Sequence, residues 1–270
     1  MTKQPIKIIV GGAGGRMGRT ILALAHRDPA LRIAGAFERS DHPVVGRDVG
    51  ELIGTEPVNV PVHPDLRECV RLGQVVIDFT HPAAVPQHLE IALQARRAMV
   101  IGTTGLTKSF RVKLRLAGRK IAIVQAPNMS LGVNLLFQLV SFVSARLDQR
   151  YDVEIVEEHH RHKKDAPSGT AIEMANLAAK ARQINLARNA VFGRKGLIGE
   201  RKSGTIGIHA IRGGDTVGRH TILFLADGER LRLTHEASSR EAFGYGALIA
   251  AKFIVKKKSG LYNMRQVLGL

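Results

Sequence analysis

A chain of 270 residues is long enough for two domains at roughly 100–200 residues each, and 44% hydrophobic with 23% charged residues excludes disordered and fibrous classes. One cysteine, Cys69, excludes an internal disulfide and a paired-Cys metal centre. The net charge of +17 raises nucleic-acid binding, but Lys and Arg are scattered apart from Lys256-Lys257-Lys258 and residues 161–164, with no aromatic-flanked basic stripe. The charge is read as solvated surface and attraction for anionic ligands, with no nucleic-acid partner. A lone cysteine points to a reducing compartment. Without a charged N-terminal region ahead of an apolar run, or any stretch near the ~18 apolar residues of a span, a cytoplasmic protein with no membrane partner is expected.

In chain order, residues 6–10 read as a buried strand, 16–26 as a helix and 31–37 as a second strand, together one βαβ unit. Apolar runs at 75–79, 98–101 and 121–124 follow, each leading through loop residues into a helical stretch, which predicts a parallel doubly wound sheet. The pattern then changes. Residues 131–147 form a long apolar helix, and 152–158 alternate as a half-buried strand, with Val153 and Ile155 opposite Asp152 and Glu154. A helix over 169–187 precedes three strands at 205–211, 220–225 and 230–235, and a last helix spans 240–255. The expected fold class is α/β: a Rossmann-type doubly wound parallel sheet with a second α+β domain carrying an open mixed sheet. The dinucleotide-binding domain takes residues 1–129, with 240–270 returning to it. Residues 130–239 form a substrate-binding domain.

Directly after the first strand, Gly12-Ala13-Gly14-Gly15-Arg16-Met17-Gly18 opens a helix. Glycines there allow a tight turn, close approach of a pyrophosphate and close helix–strand packing, and the helix N-terminus offers N–H groups to phosphates. The spacing differs from strict G-x-G-x-x-G, but Glu38 stands at the end of the second strand, where an acid binds ribose hydroxyls. Arg39 beside it can neutralise a ribose 2′-phosphate, so NADH and NADPH are both expected. Three more loops sit at the carboxyl ends of later strands: Phe79-Thr80, Gly102-Thr103-Thr104-Gly105 and Ala126-Pro127-Asn128-Met129. Each supplies small or amide groups suited to a nicotinamide and its ribose.

The stretch Glu157-Glu158-His159-His160-Arg161-His162-Lys163-Lys164 runs into Asp165-Ala166-Pro167-Ser168-Gly169-Thr170 at a helix start. Histidine exchanges protons near neutral pH, lysine can act as a general acid, and a Ser-Gly-Thr helix start can hold a carboxylate. Together they describe a site where an anionic substrate receives a proton. His160 and His162 share a strand face, yet no Cys or carboxylate–His spacing accompanies them, so no metal is expected.

These motifs, with Asp78-Phe79-Thr80, Arg212-Gly213-Gly214-Asp215 and Gly218-x-His220-Thr221, closely resemble the 4-hydroxy-tetrahydrodipicolinate reductase (dihydrodipicolinate reductase) family from end to end. The resemblance implies NAD(P)H-dependent reduction of a cyclic imine dicarboxylate to tetrahydrodipicolinate in the diaminopimelate route to lysine. It implies His159 as proton donor or acceptor, Lys163 as proton donor, and His160, Ser168, Gly169, Thr170 and Thr104 as substrate contacts. Cofactor contacts would come from Gly12, Ala13, Gly14, Gly15, Arg16, Met17, Glu38, Arg39, Phe79, Thr80, Gly102, Thr103, Thr104, Ala126, Pro127, Asn128 and Met129. A homotetramer assembled through the second domain is also implied. The chain departs from the family at Gly11, at His81, where an Arg is sometimes found, and at Met129, where Phe is frequent. Two other readings remain: a nicotinamide-dependent dehydrogenase of another small acid, and a non-catalytic dinucleotide sensor.

Overall fold

The structure is a computed structural model and describes residues 4–270. It divides into two compact units, one ending at Leu131 and resumed by Arg240–Leu270, the other Gly132–Ser239.

In the first unit the chain runs β1 (Ile6–Gly11), α1 (Arg16–His26), β2 (Leu31–Phe37), α2 (Val49–Ile53), β3 (Val62–His63), α3 (Leu66–Cys69), β4 (Val75–Asp78), α4 (Val85–Gln94), β5 (Ala98–Ile101), α5 (Lys108–Gly118) and β6 (Ala122–Gln125). All seven strands of its sheet are parallel, in the order β12-β6-β5-β4-β1-β2-β3, where β12 is Gly260–Tyr262. Ile8, Ile9 and Val10 are wholly buried, as continuous β-branched runs are when helices cover both faces of a parallel sheet. Helix α1 turns Ile21, Leu22, Leu24 and Ala25 toward that sheet, one apolar stripe at helical spacing. From β1 the chain winds outward through β2 and β3, then crosses back to β4 on the other side. The crevice between β1 and β4 is therefore the point where strand order reverses, the place where such sheets bind ligands.

The second unit begins within α6 (Leu131–Ser144) and continues through β7 (Asp152–His159), α7 (Gly169–Ala181), α8 (Leu186–Asn189), β8 (Ala190–Phe192), β9 (Ile206–Arg212), β10 (Gly218–Ala226) and β11 (Glu229–Ala237). Its five-stranded sheet, ordered β11-β10-β7-β9-β8, is mixed: β10 is antiparallel to β7 and β11, while β9 is parallel to β7 and β8. Met174, Ala175 and Ala178 of α7 pack with Val153, Ile155, Ile208 and Phe224 of the sheet in one core. The last helix, α9 (Glu241–Ile254), followed by β12 and α10 (Met264–Leu268), belongs to the first unit, where α9 packs on α1.

Several expected elements are corrected. The helix over 169–187 breaks in two, because Gln183 takes a left-handed φ of 57° and turns the chain between α7 and α8. The 131–147 helix stops at Ser144. His160 and His162 do not share a strand face, since β7 ends at His159 and the chain turns away. Strands β3, β8 and β12 had no sequence signal at two or three residues each, being fixed by pairing to a neighbour. Among the described residues no helix is long and apolar enough to cross a membrane.

Candidate functional site

In the first unit, β1 is followed by Gly12, whose φ of 75° is left-handed and whose amide bonds back to Phe37. A Cβ built at Gly18 would lie 2.0 Å from the Gly12 carbonyl oxygen, so the loop rests directly on α1 and only glycine fits. Gly15, the N-cap of α1, has no side chain to cap the first turn, and that turn carries no acid. Its N–H groups are left for an anion. Arg16 is exposed beside them, Met17 packs partly into the core, and Ala13 is buried.

The Glu38 carboxylate closes over this loop, accepting from Gly14 N at 3.0 Å and Arg39 N at 3.1 Å. The Arg39 side chain is exposed and meets Asp41 at 3.1 Å. At the end of β4 the buried Asp78 carboxylate accepts from Thr80 N (2.9 Å), Thr80 Oγ1 (2.6 Å) and His88 Nδ1 (2.8 Å). Thr103 Oγ1 donates to Thr80 O at 3.0 Å, and a Cβ at Gly102 would strike the Phe79 ring at 2.1 Å, which locks these two loops together. Thr104 is exposed on the same loop. After β6, Asn128 Oδ1 accepts from Ser130 N at 2.9 Å, and Pro127 is exposed. Ala126 and Met129 are buried, the Met129 side chain lying in the core, so both offer backbone rather than side chain to a ligand. Because the sheet is parallel, all these loops emerge from one edge. Glycines that no Cβ could replace, an uncapped helix N-terminus and an acid facing the loop fit a dinucleotide.

The second unit assembles the His-rich stretch differently from a simple charge run. Strand β7 alternates strictly, and its buried face carries Val153, Ile155, Glu157 and then His159. Glu157 is fully buried. Its oxygens accept from His159 Nδ1 at 2.5 Å, from Ser168 N at 2.9 Å, and from both Nη atoms of Arg212 at 2.8 and 2.7 Å. Burial alone would raise the Glu157 carboxyl, yet the bonds from Arg212, His159 and Ser168 hold it below the ordinary carboxylate value. For His159 burial wins over the pull of Glu157, and the imidazole sits below its ordinary value. With Nδ1 on Glu157, its Nε2 points toward Gly218, where a Cβ would stand 3.0 Å away and crowd it.

Ser168 caps α7 by accepting from Ala171 N at 3.2 Å, and its Oγ lies 2.9 Å from His220 Nε2. Burial, then the neighbouring His159, push His220 down to about 4. Gly169 is exposed and a Cβ there would meet nothing within 4 Å, so the helix start opens to a ligand; no acid occupies the first turn. Thr170 and His160 are half-buried, and the His160 amide donates to Thr216 O at 2.8 Å. Lys163 reaches Asp165 at 2.8 Å, which lowers the Asp165 carboxyl. Among the described residues no group of three His, Cys, Asp or Glu side chains could hold a metal.

Second-unit residues His159, Lys163, His160, Ser168, Gly169 and Thr170 thus gather around the end of β7 and the start of α7, whereas Thr104 belongs to the first unit. Sequence reasoning missed Glu157, Arg212 and His220. The period-2 pattern of β7 held the signal for Glu157: an acid in line with Val153 and Ile155 must be buried, and a buried acid needs partners. Arg212 and His220 stood in motifs that carry the family resemblance, but no local pattern gave them a role, because they arrive on other strands.

The family model described as Dihydrodipicolinate reductase, N-terminus, matches residues 6–129, and that described as Dihydrodipicolinate reductase, C-terminus, matches 132–268. A protein named 4-hydroxy-tetrahydrodipicolinate reductase from Syntrophus aciditrophicus is 46% identical over 264 residues, 98% of each chain. Another of that name from Nitrosomonas europaea is 47% identical over 266 residues, 98% of this chain and 99% of the relative. A dipicolinate-bound dihydrodipicolinate reductase from Paenisporosarcina sp. TG-14 superposes with a TM-score of 0.76 at 27% identity, covering 96% of this chain and 98% of that one. With both halves of its length matched and its loops and charged cluster built as described, the chain belongs to the dihydrodipicolinate reductase family.

Proposed function

We propose that this chain carries out its family's reaction, the NAD(P)H-dependent reduction of dihydrodipicolinate, formed from 4-hydroxy-tetrahydrodipicolinate, to tetrahydrodipicolinate. The observation that carries the reading is the gathering, around the end of β7, of an imidazole held by a buried carboxylate, an ammonium, and a helix start open at Gly169. The dinucleotide, held by residues 12–17, Glu38, Arg39 and the loops after β4, β5 and β6, supplies the hydride. The chain's own residues supply the rest.

Hydride addition drives electrons through the conjugated imine toward its nitrogen, and one proton must follow. Lys163 is the proton donor. An ammonium has three N–H bonds, and the contact with Asp165 occupies one of them. His159, neutral at neutral pH, keeps its Nδ1 proton on Glu157 and presents Nε2 as the acceptor that takes and returns protons. The Gly169-Thr170 helix start and His160 hold a substrate carboxylate through N–H groups and the helix dipole, while the exposed Arg161 and Lys164 draw the dianion in. The cationic surround also stabilises negative charge as it develops on the substrate.

The lone, buried Cys69 supports a cytoplasmic setting. Exposed Phe192, Leu197 and Ile198 in the second unit support a homotetramer built through that unit, which the mass in solution would establish. The deciding assay supplies 4-hydroxy-tetrahydrodipicolinate made in situ with NADPH or NADH and follows nicotinamide absorbance. Turnover is expected, and Lys163→Met should lower kcat by roughly 10²- to 10⁴-fold while coenzyme still binds. Absence of oxidation, with turnover of an unrelated keto acid, would overturn the assignment. Coenzyme binding without any turnover would mark a sensor instead.

A further inference from the structure

Glu157 occupies a place where an apolar residue would pack at no electrostatic cost, in line with Val153 and Ile155 on the buried face of β7. Replacing a buried ion pair by well-packed hydrophobes is commonly neutral or stabilising, so the stability of the sheet does not by itself call for this carboxylate. What the carboxylate does is geometric. Its two oxygens have about four lone-pair directions, and four donors fill them: two from Arg212, one from His159 and one from the Ser168 amide. Arg212 is tied in turn to the Asp165 carbonyl at 2.7 Å, so the loop bearing Lys163 is fastened to the same guanidinium.

We propose that Glu157, clamped by Arg212, is the positioning residue of the proton-handling site. It fixes the His159 ring with Nδ1 on the carboxylate and Nε2 directed away from it and, through the Ser168 amide, sets the start of α7 where the substrate carboxylate lands. A single buried carboxylate then registers the ring against the anion site, and neither can shift without breaking bonds to the other. This rests on the roles given above to His159 and the α7 start. The charged and titratable groups facing His159 are Glu157 on its own strand, Lys163 on the following loop, Arg212 at the end of β9 and His220 on β10. Glu157 is the anion in contact with the ring, and the cations Lys163 and Arg212 act against its protonation.

The test is Glu157→Gln, with Arg212→Lys as a second variant that keeps the charge but loses the fork. Glu157→Gln should lower kcat roughly 10- to 100-fold, the size of one charge-assisted hydrogen bond, and raise substrate KM, leaving the NADPH Kd unchanged. With its anion gone, the acid limb of kcat/KM that reports His159 protonation should move to lower pH. Placed in a His159→Gln background, the same substitution should cost kcat far less, because Glu157 acts through the ring. A merely structural role would leave the limb in place and the two losses multiplicative, and either result overturns the proposal. If Glu157→Gln fails to fold, Arg212→Lys carries the test with the same kcat and KM directions, and unchanged constants there refute it. Unchanged kcat in both His159→Gln and Lys163→Met would instead sink the proton-handling assignment itself.

Discussion

Acidification should loosen the second unit through His220. The ring is 4% exposed, and burial with His159 beside it holds it at about 4 rather than the ordinary 6.5. A histidine whose folded value lies below its unfolded one binds fewer protons when folded. Its contribution is therefore complete above about pH 6.5 and is lost as pH falls toward about 4. At about 1.4 kcal/mol per tenfold change in proton affinity, the whole effect is about 3 kcal/mol, most of it gone by about pH 4.5. Hydrogen exchange of the β10 amides reads this locally, independent of the first unit. His220→Gln keeps an amide that can reach Ser168 and removes the titration. Its opening free energy should fall by about 2 kcal/mol less than the parent's between about pH 7.5 and pH 4.5. Identical losses in parent and variant would show that His220 does not carry the acid sensitivity, and the burial argument would be wrong.

Two further outcomes concern the coenzyme. Gly18→Ala places a Cβ 2.0 Å from a carbonyl oxygen with backbone on both sides, so the loop must move by about 1 Å, an overpacking cost of roughly 1–3 kcal/mol. Both Tm and NADPH affinity should drop, whereas Gly169→Ala, which meets nothing, should leave Tm alone and raise substrate KM; equal behaviour of the two would discredit the glycine geometry. Arg39→Ala should weaken NADPH more than NADH, since only NADPH carries the 2′-phosphate a guanidinium can neutralise, and a comparison of kcat/KM for the two coenzymes decides it.

Much of the fold was legible because local pattern and tertiary outcome agree. Within the runs at 6–10, 75–79 and 98–101, residues 8–10, 75–77 and 99–101 are wholly buried, so their continuous apolar character reports a parallel strand whatever its neighbours. The glycine loop was legible because φ at Gly12 and the contact at Gly18 forbid other residues, leaving a local mark of a non-local need. Packing places the Met129 side chain in the core and leaves the backbone of its loop for a ligand, a division of roles that the loop's sequence does not encode.

Sequence by itself therefore determined the α/β alternation, the loops that end the parallel strands, and the residue types His159, Lys163 and Ser168-Gly169-Thr170 gathered in one segment. Tertiary structure alone decided what those residues can do. Arg212 from β9 and His220 from β10 reach the end of β7 by strand pairing, across separations in the chain that no local periodicity encodes. Which nitrogen of His159 is left off the carboxylate follows from Glu157, and what holds Glu157 ionised follows from Arg212. Hydrogen bonds between strands depend on register and burial, and these exist only once the sheet has formed.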